Sequence, residues 1–194
     1  MNWFRIRQYL WYRKHAKGRH GLHSPMVYQF LDKGLRKRQT VSLPAYRSYS
    51  DKVYYPAGLI HRIIAHFQFK RILVSGCEDG KMEDYHPINQ NTALIEGQMD
   101  YLYDWTKLLP EEWTEAYQHH AAALKGAQVV MLRDIHLSPA HLNAWNDLCS
   151  KKDVRLSIDL FEIGLLFFSE DFKERQHFVL KLPHNLQGRQ IDHR

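Results

Sequence analysis

The amino-acid sequence predicts an α/β domain with three layers and a largely parallel sheet. From residue 57 onward, segments with helical periodicity alternate with short apolar segments, and this alternation is typical of such domains. Residues 127–132 form a nearly continuous apolar run, as expected for a parallel strand covered on both faces. The length of 194 residues suits one domain with a small appendage.

Composition excludes several classes of protein. Hydrophobic residues make up 44% of the chain, which excludes a disordered polymer. No apolar run reaches the roughly 18 residues that a membrane-spanning helix needs. The first residues lack the features of a secretory signal, and the chain contains only Cys77 and Cys149. Two cysteines form neither a disulfide framework nor a four-cysteine zinc site, so we expect a reduced, cytoplasmic protein.

Charge is distributed unevenly along the chain. Residues 1–50 contain eleven Lys or Arg residues and one acid, Asp32, which gives +10, whereas the remaining residues carry −4. A basic segment therefore precedes a mildly acidic body. For residues 1–38 we expect an anionic partner, either a nucleic acid or a membrane surface, or else simple packing against the body with a solvated charged face.

The basic segment is predicted to contain two helices. The first covers residues 1–17 and has Trp3, Ile6 and Leu10 on its apolar face. Residues 18–21 end it, and a second helix begins at Ser24-Pro25, where serine suits the N-cap. Its buried face is predicted to comprise Val27, Phe30, Leu31 and Leu35. Residues 39–56, which are rich in tyrosine and serine, are predicted to form an ordered aromatic loop.

The body is predicted to alternate between helices and strands. Apolar spacing predicts a helix buried through Leu59, Ile60, Ile63, Ile64 and Phe67. Further helices begin at Pro110 and after Ser138, and Gly126 ends the first of them. Strands are predicted at 71–75, 92–96, 100–104 and 127–132, with β-rich segments at 154–168 and 177–182. Residues 77–91 are predicted to be a loop, and 183–194 a frayed polar tail.

A glycine turn follows the first strand of the body. Ile72-Leu73-Val74-Ser75-Gly76 leads into Cys77-Glu78-Asp79-Gly80. Glycines at such a turn let a ligand approach the backbone at the carboxyl end of a strand, where open α/β sheets bind cofactors. A plain tight turn explains the same two glycines without any ligand.

Three motifs in order along the chain resemble a family of small bacterial class I S-adenosylmethionine-dependent methyltransferases. They are His20-Gly21-Leu22-His23-Ser24-Pro25, then Arg133-Asp134-Ile135-His136, and a terminal hairpin from Ser157 to Phe168. The resemblance implies a reduced Rossmann-like class I methyltransferase sheet with an N-terminal two-helix extension. It divides the chain into residues 1–56, 57–182 and 183–194. It also implies S-adenosylmethionine as the cofactor, bound through Gly76, Gly80 and Glu96.

The departures from that family point to impaired or lost cofactor binding. The family has an acid where this chain has Val74, and Asp where it has Arg133. Only Gly97-Gln98-Met99 separates Glu96 from the next predicted strand, too short a connection for a parallel crossover. We therefore expect a pseudoenzyme with an interaction or scaffold role. An active methyltransferase on an unknown substrate and a nucleic-acid-binding module are the alternatives.

Other chemical candidates are weaker. Asp134 and His136 suit an acid–base pair, or Asp134 begins a turn while His136 faces solvent. His20 and His23 suit ligands or, more simply, packing groups at a helix junction. The thirteen histidines show no zinc-binding spacing, so no metal site is expected. The acids beside Cys77 would raise the pKa of its thiol rather than activate it. No catalytic residue is assigned from the sequence.

Overall fold

The computed structural model describes residues 3–36, 56–69, 71–74, 101–126 and 128–183. The chain divides into two compact units. The first unit comprises residues 1–16 and 69–179, and the second comprises residues 17–68 and 180–194. The segments 1–56, 57–182 and 183–194 suggested by the resemblance stay a prediction. The expected aromatic loop before Pro56, the loop 77–91, the strand 92–96 and the tail beyond residue 183 lie outside the described residues.

The first unit contains a six-stranded sheet. Its strands are β1 (Arg71–Val74), β2 (Tyr101–Asp104), β3 (Gln128–Arg133), β4 (Leu156–Asp159), β5 (Ile163–Phe167) and β6 (Gln176–Val179). They are ordered β1-β2-β3-β5-β4-β6. Pairing is parallel except at β5, which is antiparallel to both β3 and β4. The carboxyl ends of the other five described strands therefore share one edge. The predicted mixed α/β architecture with a mostly parallel sheet is confirmed.

Two helices pack on one face of this sheet. They are α4 (Pro110–His120) and α5 (Pro139–Ser150), and the predicted cap of α5 is confirmed because Ser138 Oγ accepts a hydrogen bond from the backbone N–H of His141. Trp113 and Trp145 enter the core from these helices, each 1% exposed. Alternate residues of β3, Val130 and Leu132, face them in the same cluster. Since their neighbours Val129 and Met131 are also fully buried, β3 is covered on both faces.

The first helix, α1 (Trp3–His15), forms as predicted but buries a different face. Trp3 is 76% exposed and Leu10 is 60% exposed, whereas Tyr12 is only 4% exposed. Tyr12 and Tyr9 pack instead against Phe161, with ring centroids 5.2 Å apart in both cases. The prediction was wrong because the sequence of α1 contains two apolar stripes, and only tertiary structure decides which one meets an aromatic partner.

The second unit contains α2 (Pro25–Gln29), a π-helical segment from Phe30 to Arg36, and α3 (Pro56–Phe67). The predicted buried residues of both helical segments are buried. Ser24 occupies the predicted N-cap position, but its side chain makes no capping hydrogen bond. The Arg62 guanidinium joins α3 to the π-helical segment by donating to the carbonyl of Leu35 at 2.6 Å. Gly34 is required there, because a Cβ would lie 2.9 Å from the His66 ring.

Candidate functional site

The candidate site lies at the carboxyl edge of β3 and β4, in the first unit. β3 ends at Arg133, and Asp134 follows it in a left-handed conformation with φ of 57°. A turn closed from the N–H of Leu137 to the carbonyl of Asp134 then carries His136. β4 ends at Asp159 and returns into β5 through a tight turn that contains Phe161 and Glu162. The backbone N–H of Asp134 donates to the carbonyl of Glu162 at 2.6 Å, which ties the two strand ends together.

A buried histidine–carboxylate pair forms the centre of the site. His136 Nε2 lies 2.7 Å from Asp159 Oδ2, and both side chains are 2% exposed. The other carboxylate oxygen of Asp159 accepts the backbone N–H of Phe161 at 2.7 Å. The Phe161 ring stacks on the imidazole at 5.1 Å between centroids. Nδ1 of His136 is buried and has no hydrogen-bond partner among the described residues. A histidine whose ring is oriented by a carboxylate is one of the arrangements used for general acid–base catalysis.

A small cavity of about 250 Å³ opens beside this pair. Its lining includes Gln8, Trp11, His136, Trp145, Asp159 and His177. His177 is further held by Ser157, whose Oγ lies 2.7 Å from its Nδ1. Desolvation lowers the pKa of His177, although the nearby Asp159 carboxylate opposes this shift. The cavity therefore combines indole surfaces with a carboxylate and two imidazoles.

The helix α1 closes one side of the site through an ion pair. Arg5 Nη2 lies 2.5 and 2.7 Å from the two carboxylate oxygens of Glu162. The Glu162 side chain is 13% exposed, and its burial raises the pKa of this carboxyl while the Arg5 guanidinium acts against the increase. Arg5 also lies 3.9 Å from Asp134, which pairs with Arg133 at 3.1 Å. Further along α1, the Trp11 ring lies 6.3 Å from that of His136.

These contacts correct the prediction for the Asp-Ile-His motif. Asp134 begins a turn as expected, but His136 is buried rather than solvent-facing. The partner of His136 is Asp159, 23 residues away, while Asp134 pairs with two arginines. Nothing in the sequence around Asp159 distinguishes it from an ordinary strand end, so the pair was missed. His20 and His23 belong to the second unit, where both side chains are exposed.

A further buried acid lies at this edge among the described residues. Asp104 at the end of β2 is fully buried, and its Oδ1 accepts the backbone N–H of Thr106 at 3.0 Å. Burial raises the pKa of the Cys149 thiol to about 12, which disfavours the nucleophilic thiolate at neutral pH. The residues assigned to the cofactor by resemblance, Gly76, Gly80 and Glu96, lie outside the described residues, as does Cys77.

No group of three or more His, Cys, Asp or Glu side chains is placed to hold a metal ion in the described part of the chain. None of the helices described is long and apolar enough to cross a bilayer. Comparison of the chain with models of known protein families, with curated proteins and with solved structures finds no match.

Proposed function

We propose that this protein is a diverged methyltransferase-fold protein that acts by binding a partner, with S-adenosylmethionine binding impaired or lost. One observation carries the proposal: α1 of the same chain lies against the carboxyl edge of β3 and β4. Open α/β sheets bind their ligands in the crevice outside the carboxyl ends of the strands. Here Arg5 and Tyr12 contact the turn between β4 and β5 at that edge.

The sequence departures support this interpretation, because Val74 replaces the acid that the resemblance implies, and Arg133 places a cation beside Asp134.

A thermal shift experiment with S-adenosylmethionine tests the proposal. A ligand at about 100 times its dissociation constant adds roughly 2.7 kcal/mol of stability, which raises Tm by several degrees in a domain of this size. We expect a shift below about 1 °C at millimolar cofactor. Adenosine triphosphate serves as the control for non-specific nucleotide effects. A rise of several degrees with both the cofactor and its demethylated product, but not with the control, overturns the proposal.

An active methyltransferase is the second candidate, and the buried His136–Asp159 pair favours it. In that case Asp159 orients the imidazole through Nε2, and Nδ1 of His136 removes the proton from the acceptor atom as the methyl group arrives. The variants His136→Asn and Asp159→Asn should then still show the thermal shift with S-adenosylmethionine. When they are incubated with the cofactor and a cell extract as the source of substrate, they should no longer convert the cofactor to its demethylated product. Conversion that survives both substitutions excludes this pair as the base.

The basic N-terminal segment supports the binding role, since its charge suits an anionic partner such as a nucleic acid or a membrane surface. A nucleic-acid-binding module therefore stays an alternative function, and steep salt dependence of RNA or DNA affinity is its signature. A cytoplasmic location stays a prediction from the low cysteine content.

A further inference from the structure

The outer face of α1 carries a stripe of mixed apolar and basic side chains. Trp3, Arg7, Leu10 and Lys14 follow one another at spacings of four, three and four residues, which places them on one side of a helix with 3.6 residues per turn. All four are exposed, with Trp3 at 76% and Leu10 at 60%. Tyr12 lies on the opposite side and is 4% exposed. We call these four residues the outer stripe.

The charge of α1 is entirely positive. The helix contains no acidic residue, and of its cations Arg5 is occupied by Glu162. Arg7 and Arg13 lie over aromatic rings of the helix itself, with guanidinium carbons 5.9 Å from the Phe4 centroid and 6.0 Å from the Tyr9 centroid. Such contacts leave the charge in place, so the exposed side of α1 presents cations directly beside large apolar groups.

We propose that the outer stripe binds the surface of an anionic phospholipid bilayer. This inference rests on the binding role proposed above and names the partner. An indole is favoured at the boundary between head groups and acyl chains, and an aliphatic side chain gains when it enters the acyl region. The cations Arg7 and Lys14 lie within the same stripe and reach lipid phosphates. A nucleic acid would also attract the cations, but it offers Leu10 neither a stacking surface nor an apolar region.

The mode of binding is peripheral. Tyr12 and the Arg5–Glu162 pair keep the buried side of α1 against the turn between β4 and β5, so only the outer stripe enters the membrane interface. In this mode the axis of α1 runs parallel to the bilayer surface, with the outer stripe toward the lipid and Tyr12 toward the sheet.

Co-sedimentation of the full chain with vesicles tests the proposal. We expect binding to phosphatidylcholine vesicles that contain phosphatidylglycerol and none to phosphatidylcholine alone, with affinity decreasing as salt increases. Leu10→Ser should weaken the partition coefficient roughly tenfold, since a buried aliphatic side chain is lost. Arg7→Gln combined with Lys14→Gln should weaken it about 30-fold, because each cation near an anionic surface contributes about fivefold.

Matched control variants distinguish binding through the outer stripe from non-specific hydrophobic adsorption and from the effect of net charge. Leu109 is 63% exposed at the start of α4, so Leu109→Ser removes a comparable exposed leucine elsewhere. Lys152→Gln combined with Lys173→Gln removes the same charge from exposed positions distant in sequence. Both controls should leave the partition coefficient within about twofold of the parent chain. Circular dichroism should be unchanged for every variant, because all the replaced side chains are exposed.

Three outcomes overturn the inference. The first is absence of binding to anionic vesicles at low salt. The second is equal weakening by the control variants. The third is tight binding of single-stranded RNA that depends on Arg7 and Lys14 but not on Leu10, without vesicle binding, which assigns the surface to nucleic acid. Because the thermal shift with S-adenosylmethionine measures a different site, failure here and failure of the proposed function are distinguishable.

Discussion

Removal of the Arg5 charge should weaken the packing of α1 against the sheet. In the variant Arg5→Gln, Glu162 keeps its position beside Asp134 but loses the guanidinium that contacts both of its carboxylate oxygens. The Glu162 side chain is 13% exposed, so water replaces that contact poorly. A buried carboxylate without its partner is costly, and the free energy of unfolding should therefore decrease.

The expected loss is about 1–2 kcal/mol. Breaking a fully buried ion pair by removing one partner costs about 3–5 kcal/mol. Since the Arg5 side chain is 35% exposed, solvent already screens the pair and the cost is smaller. Glu162→Gln should cost less than Arg5→Gln, because the arginine left behind reaches water more easily than the glutamate does. In the double variant, the loss of stability should be about 1 kcal/mol smaller than the sum of the two single losses.

The loss should also depend on pH. Burial already raises the pKa of Glu162, and removal of the opposing cation raises it further. The folded variant then holds a proton that the unfolded chain releases, so its stability decreases as pH increases above the ordinary glutamic acid value of 4.5. The cost of Arg5→Gln should thus be larger near pH 7 than near pH 4.5.

Urea denaturation followed by circular dichroism measures these differences, and limited proteolysis within α1 reports its release from the sheet. Lys14→Gln is the matched control, because it removes an exposed cation of the same helix and should cost less than about 0.5 kcal/mol. Single losses below that level, combined with strict additivity in the double variant, would refute the view that the pair holds α1 in place.

Three further predictions concern buried groups. Gly164→Ala places a methyl group 2.6 Å from the Trp145 ring and should lower the free energy of unfolding by about 2–3 kcal/mol in urea denaturation. In the double variant with Trp145→Phe, the loss of stability should be smaller than the sum of the two single losses. Full additivity of the two losses contradicts the clash. Desolvation lowers the pKa of His66 to about 4, so the free energy of unfolding should decrease by about 2 kcal/mol as pH falls from 6.5 to 4. His66→Gln should remove this pH dependence. An unchanged dependence of stability on pH in that variant contradicts the prediction. Asp159→Asn should cost about 2 kcal/mol by urea denaturation, because it weakens a buried contact with His136; a neutral result indicates that the pair is not formed.

Local periodicity was sufficient to place the helices and most of the described strands, although α4 ends at His120 and not at Gly126 as predicted. The buried faces of α2 and α3 follow from apolar spacing, because each helix has one continuous apolar stripe. Ser138 predicted a helix start, since its side chain supplies the missing hydrogen-bond acceptor. The helix α1 is the exception, with two competing stripes, and the choice between them depends on Phe161 far along the chain.

The site itself was largely beyond sequence reasoning. His136 and Asp159 meet because β3 and β4 end at the same edge with β5 between them, and no short motif encodes that strand order. The Arg5–Glu162 pair spans 157 residues. Long-range pairs of this kind depend on topology, whereas spacing reports only contacts within one element. The motif around His136 indicated the correct strand end but the wrong partner.

The separation between Arg5 and Glu162 has a consequence for synthesis of the chain. The helix α1 leaves the ribosome before the turn between β4 and β5, because Glu162 in that turn follows Arg5 by 157 residues. At about 5–20 residues per second, α1 waits roughly 8–30 s before that turn exists. During this interval Tyr9 and Tyr12 are as accessible as the outer stripe, so the nascent helix is apolar on both sides. The translation rate therefore sets the minimum time during which a chaperone or a lipid surface can bind the helix before the sheet does.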